Sequence, residues 1–235
     1  MTILGMSLKI KGYKKIIKWS IWAVLAVLFL IAFIRVVSFE KQYYDEKEGS
    51  ERVVISENDD EEEELIEVEP TEKVVREYTV APDRPRYLTI EKLGIRKARV
   101  LAMGINSKGE LDTPRNVFDV GWYESSGKPG NGGTMMIDGH NGGPNVYGVF
   151  KKIPNLVNGD IITIERGDGL VFNYKVVENK SVLLSEADNY MSTAAKSPEA
   201  GKESVTLISC TGEWSQSQGT YLSRQFTRAV IVENQ

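Results

Sequence analysis

Ser204-Val205-Thr206-Leu207-Ile208-Ser209-Cys210 is an unbroken run of β-branched, small and apolar residues. Such a run reads as a buried strand. It ends on the only cysteine of the 235-residue chain. The only histidine, His140, closes an earlier stretch of the same character, Gly133-Thr134-Met135-Met136-Ile137-Asp138-Gly139. A cysteine attacks as its thiolate, so it needs a base or a cation nearby, and His140 is the only imidazole available. The oxyanion of a tetrahedral intermediate needs a donor that is always charged, which arginine supplies. Arg224 and Arg228 both lie in the stretch that reads as the last strand, residues 224–232. Being four apart, they face the same side of a regular strand, and spacing alone does not choose between them.

The neighbourhood of these two strands reads the same way. Short alternating stretches at 87–90, 93–101, 117–122, 161–164 and 171–177 are separated by turn signals such as Asn158-Gly159-Asp160 and Arg166-Gly167-Asp168-Gly169. The last of these reads as a hairpin. Residues 146–153 read as a short helix or turn, 185–203 as polar and tolerant of helix, and 211–220 as a long loop carrying Trp214. Trp122 and Tyr123 read as barrel packing. Many short strands with few helical periods predict a β-barrel or sandwich.

Before this domain the composition changes twice. Residues 1–18 carry Lys9, Lys11, Lys14, Lys15 and Lys18, and an apolar run at 19–39 follows, interrupted by Arg35. About 20 residues span the hydrocarbon core of a bilayer, and Lys18 and Arg35 can snorkel to its two faces. The basic flank predicts a cytoplasmic N-terminus with the rest of the chain outside. The rival is a cleaved signal peptide, but Val36-Val37-Ser38-Phe39 offers no small-residue cleavage site. Residues 40–85 read as a solvated stalk, because Asp59 to Glu64 are six consecutive carboxylates that repel one another. A spacer is favoured there over an ion-collecting or partner-binding tail. The folded domain is therefore expected at 86–235.

Bulk composition narrows the function. Net charge is −4, which argues against general nucleic-acid binding. One cysteine excludes an intramolecular disulfide and any cysteine-rich metal site. Taken singly, a free cysteine is often a small buried hydrophobe, a lone histidine a structural residue, and a strand arginine a solvated edge charge. An extracytoplasmic chain with one unpaired cysteine runs an oxidation risk, and this weighs toward a working thiol.

Thr206-Leu207-Ile208-Ser209-Cys210 resembles the TLxTC signature of sortases, the membrane-anchored cysteine transpeptidases of mainly Gram-positive bacteria. Leu88-Thr89-Ile90-Glu91-Lys92-Leu93-Gly94-Ile95, Pro129-Gly130-Asn131-Gly132-Gly133, Asp138-Gly139-His140 and Asn158-Gly159-Asp160 resemble further motifs of that family, in its order. The resemblance implies an eight-stranded β-barrel behind an N-terminal transmembrane helix. It implies His140 as acid/base, Cys210 as nucleophile, and Arg224 as the oxyanion or substrate clamp, with Arg228 as fallback. It places Ile208 and Ser209 at the substrate; Ser209 replaces the usual threonine and keeps its hydroxyl. The implied partners are surface proteins with a C-terminal LPxTG-like signal and an amine acceptor on a cell-wall precursor or a pilin lysine. No cofactor is implied. Calcium occurs in some members, and Glu186 and Asp188 are available here without a compelling ligand pattern. Asp138, two residues before His140, is either a third member that orients the imidazole or a polar strand-end residue. Two other extracytoplasmic cysteine enzymes fit less well. L,D-transpeptidases carry a Ser-His-Gly-Cys context absent here, and papain-like peptidases place the cysteine before the histidine. The non-enzymatic alternative is a membrane-tethered β-barrel adhesion or scaffold domain.

Overall fold

Alternation along the strands gives the molecule its two apolar surfaces. The computed structural model describes residues 64–106, 109 and 111–232. Eight strands form a closed barrel: β1 (Pro85–Ile90), β2 (Ile95–Met103), β3 (Val120–Tyr123), β4 (Thr134–Gly139), β5 (Ile161–Arg166), β6 (Val171–Leu183), β7 (Ser204–Ser215) and β8 (Thr220–Ile231). Their order around the barrel is β1-β2-β3-β4-β7-β8-β6-β5. β2/β3 and β4/β7 pair in parallel and the other neighbours antiparallel. Leu88, Trp122, Ile137, Ile164, Leu207 and Ala229 point inward into one core with almost no exposure. The mainly β, eight-stranded expectation holds, as do the packing roles of Trp122 and Tyr123.

The alternate residues of β4, β7 and β8 face outward, and there a helix covers them. Met136, Ile208 and Phe226 join Val182 and Ala194 in a second core. The helix α2 (Leu184–Ala194) lies within the stretch read as helix-tolerant, with Glu186 in its first turn, where a carboxylate suits the helix dipole. It is tied down by Arg228, whose Nη1 donates to Glu178 at 2.5 Å and whose Nη2 donates to the Lys196 and Thr193 carbonyls at 2.9 and 3.2 Å. Thr206 Oγ1 donates to the Ala194 carbonyl at 2.7 Å.

The loop entering β4 is held by a buried carboxylate. Glu203 accepts from the backbone N–H groups of Gly130 and Gly132 at 2.9 and 2.8 Å, and from the Tyr174 hydroxyl at 2.5 Å. Three donors satisfy a group that would be costly to bury alone.

Two expectations need correction. Residues 64–85 are not a solvated spacer. They contain the helix α1 (Glu72–Glu77), capped by Thr71, and they dock on the barrel. Tyr78 donates to the Val100 carbonyl at 2.6 Å, Tyr87 donates to the Val75 carbonyl, and Arg86 donates to the Tyr78 carbonyl at 2.8 Å. Beyond the carboxylate block Leu65, Val75 and Tyr78 are interspersed among the charges. The loop expected at 211–220 is mostly strand: β7 and β8 continue to Ser215 and from Thr220, with an irregularity between Thr211 and Trp214. Residues 1–63, including the expected anchor and most of the expected stalk, lie outside the described residues. Among those described, no helix is long and apolar enough to cross a membrane.

Candidate active site

Strand register builds the site. In the parallel β4/β7 pair Asp138 lies beside Ile208, and the same register carried two residues further brings His140 level with Cys210. In the antiparallel β7/β8 pair Cys210 lies opposite Arg224. Neighbouring strands are about 4.8 Å apart, so the three residues stand in a row across three adjacent strands, His140 just past the end of β4 and Cys210 and Arg224 within β7 and β8.

Cys210 and His140 line a cavity of about 570 Å³, together with Leu65, Pro144, Trp214 and Tyr221. The Trp214 and Tyr221 rings meet edge to face at 5.2 Å. No hydrogen bond joins the thiol to the imidazole. His140 Nε2 lies 2.7 Å from the Pro114 carbonyl oxygen, which only accepts, so Nε2 carries the hydrogen and Nδ1 is the nitrogen left for proton exchange. Burial pushes the Cys210 thiol up, the Arg224 guanidinium pulls it down, and Asp138 raises it.

The two arginines are on the same face but in different employment. Arg224 Nη1 donates to the Tyr221 and Ser223 carbonyls at 2.9 and 3.2 Å, and Nη2 to Thr220 Oγ1 at 3.2 Å. These contacts pin it to its own strand beside the thiol. Arg228 is buried and committed to Glu178 and to the end of α2.

Asp138 does not meet the imidazole. Its side chain is hydrogen-bonded to Thr113, and burial pushes its carboxyl up to about 7. Gly121 makes room for it, since a Cβ there would overlap Asp138 Oδ1. Ser209 and Ile208 lie beneath the site. Ser209 is 4% exposed, and its hydroxyl donates to the Gly139 carbonyl at 2.8 Å, tying β7 to β4 next to His140. Ile208 is 6% exposed and belongs to the second core. Both residues are nearly fully buried.

Glu186 and Asp188 are exposed on α2, and among the described residues no group of three or more histidine, cysteine or acidic side chains is gathered to hold a metal. The sequence reading missed Leu65, Thr113 and Pro114 near the site, and Glu203 beneath the β4 entry. The one available signal was the alternation Leu65-Ile66-Glu67-Val68 directly after the acidic block.

A model of the sortase domain matches residues 88–232. No curated protein matches the chain. Among solved structures, a pilus-related sortase C of Group B Streptococcus is 21% identical, covering 74% of this chain and 77% of that one, with a TM-score of 0.48. A sortase D5 transpeptidase of Clostridium perfringens is 21% identical, covering 68% and 86%, with a TM-score of 0.44. Sortase A from Corynebacterium diphtheriae is 22% identical, covering 66% and 62%, with a TM-score of 0.45. The family match carries the assignment; the structural likenesses add no argument of their own.

Proposed function

This chain belongs to the sortase family, and from that premise we propose that it is a transpeptidase acting through a thioester on Cys210. The observation that carries the reading is the register: His140, Cys210 and Arg224 stand in a row across three adjacent strands, and His140 and Cys210 line an apolar cavity.

In the first step Cys210 Sγ, as thiolate, attacks a backbone carbonyl of an LPxTG-like sorting signal. The C–S bond forms and the carbonyl π electrons move onto oxygen. Arg224, fixed beside the thiol, stabilises that oxyanion. The intermediate collapses to a thioester as the C–N bond breaks, and the leaving amine takes a proton from the Nδ1–H of the His140 imidazolium. In the second step an incoming amine loses a proton to His140 and attacks the thioester. A new amide forms and the thiolate is released. Burial keeps the thiol largely protonated at neutral pH, so the reactive thiolate–imidazolium pair is a minority state that substrate binding must favour.

The partners proposed are surface proteins with such a signal and an amine on a cell-wall precursor or pilin. The proposed setting is a single-pass membrane protein with residues 1–18 cytoplasmic, an anchor at 19–39, and the catalytic domain outside. Incubation of the protein with a sorting peptide and an oligoglycine amine tests the reading. Mass spectrometry is expected to detect ligated product that disappears in Cys210→Ala. Should no sorting motif turn over, and Cys210→Ala behave as wild type, the scaffold alternative stands instead.

A further inference from the structure

Segment 64–69 lies outside the matched family domain, yet it reaches the site. Its residues alternate: Leu65 and Glu67 are partly buried, while Ile66 and Val68 are exposed. The backbone of Ile66 fixes the register. Its N–H donates to the Arg115 carbonyl at 2.9 Å, and its carbonyl accepts from the Val117 N–H at 3.0 Å. These bonds run just beyond Pro114, whose carbonyl holds His140. Leu65 thereby becomes one wall of the cavity that Cys210 and His140 line.

Glu67 grips the loop that follows His140. Its Oε1 accepts from the Asn145 backbone N–H at 2.9 Å, and its Oε2 accepts from Asn145 Nδ2 at 2.8 Å. The Asn145 N–H, with help from the rest of that contact, holds the Glu67 carboxyl below its ordinary value. The approach is close enough that a Cβ on Gly143 would overlap Glu67 Oε1. The loop returns to the site through Gly148, whose N–H donates to the Asn141 carbonyl at 3.0 Å, and through Phe150, whose N–H donates to the His140 carbonyl at 3.0 Å.

We propose that Leu65 is a specificity-determining residue for the acceptor amine, and that Glu67 is a positioning residue for the loop carrying that side of the cavity. The inference rests on the acyl-transfer reading above. The leaving amine and the incoming amine both exchange a proton with His140, so by microscopic reversibility they occupy the same side of Cys210. The cavity that both residues line is bounded by Leu65, Pro144, Trp214 and Tyr221, with Gly142, Gly143 and Gly219 leaving room. Among the described residues, apart from His140 and Cys210, no titratable side chain but the Tyr221 phenol lines it. It therefore takes an acceptor whose amine is neutral when it attacks and whose neighbouring side chain is uncharged and apolar.

The test uses the full chain, a fixed sorting peptide, and glycinamide, leucinamide and phenylalaninamide as acceptors. Leu65→Ala is expected to raise KM for the best wild-type acceptor about tenfold, the scale of a lost apolar contact in a binding pocket. It should shift preference toward the bulkier acceptor and lower transfer more than it changes hydrolysis of the sorting peptide without acceptor. Glu67→Ala is expected to lower the ratio of transfer to hydrolysis, with Glu67→Gln, which keeps one acceptor oxygen for Asn145, restoring much of it. Equal losses in hydrolysis and transfer, or an unaltered acceptor preference, would overturn the proposal. A second readout needs no turnover. N-phenylmaleimide should alkylate Cys210 several-fold faster in Leu65→Ala, while iodoacetamide alkylates both proteins alike. If wild type forms no thioester with any peptide, the acyl-transfer reading fails. The maleimide rates then still decide whether Leu65 walls the thiol, and equal rates would remove it from the site.

Discussion

At the residue scale the two arginines separate stability from chemistry. Removing Arg228 strips Glu178 and two carbonyls at the end of α2 of their donor, so Arg228→Ala is expected to cost about 2–4 kcal/mol in denaturant unfolding. Arg224→Ala should leave stability nearly intact, lower transpeptidation about 100-fold or more, and raise the pH at which iodoacetamide labels Cys210, because its charge draws the thiol downward. Asp138 acts in the opposite sense. Its carboxyl is raised from 3.8 to about 7 in the fold, so the folded state binds that proton more tightly than the unfolded chain does. The stability it contributes is fully present below the unfolded pKa of 3.8 and is lost as pH rises through about 7. Asp138→Asn should flatten that loss, on the order of 2–4 kcal/mol between its two ends, as read by urea unfolding at several pH values. The same variant should label faster at Cys210, since it removes a charge that raises the thiol. Labelling slower than wild type would contradict this electrostatic account.

At the scale of elements, the site depends on two strand pairings that meet at β7. Ser209 stitches β7 to β4 through the Gly139 carbonyl. Ser209→Ala is expected to cost about 1–2 kcal/mol and to reduce turnover more than this loss explains, because the bond lies between His140 and Cys210. Full activity in Ser209→Ala would show that the stitch does not align them. The strands themselves were legible: a β-branched run ending on Cys210, and its partner ending before His140, carry their own signal. Two features were not. The β7/β8 hairpin was hidden because Gly212 and Gly219, both at positive φ, with Thr211, Ser215 and Ser217, read locally as loop, while the pairing of Trp214 with Tyr221 is a tertiary fact. The Asp138–Thr113 contact was hidden because alternation says which face a side chain takes, not which loop comes to meet it. His140 meets the Pro114 carbonyl for the same reason.

At the scale of the whole molecule, the segment preceding the closed barrel packs against it. Residues 64–78 supply α1, the backbone ladder at Ile66, and the Val75 and Tyr78 carbonyls that accept from Tyr87 and Arg86. A chain begun at residue 86 is expected to melt about 5–10 °C below one begun at residue 62, a shift of a few kcal/mol for a domain of this size. The acidic block concealed this from a sequence reading, since charge runs dominate local composition while the few apolar residues after them do the packing. The central claim, that this whole assembly serves an acyl-enzyme on Cys210, is tested most directly by intact-mass spectrometry. The protein is quenched in acid during reaction with a sorting peptide and no amine. The account predicts a mass increase equal to the N-terminal part of the peptide, reversed by hydroxylamine and absent from Cys210→Ala. An unchanged mass across sorting motifs, with Cys210 intact and still open to alkylation, would contradict it.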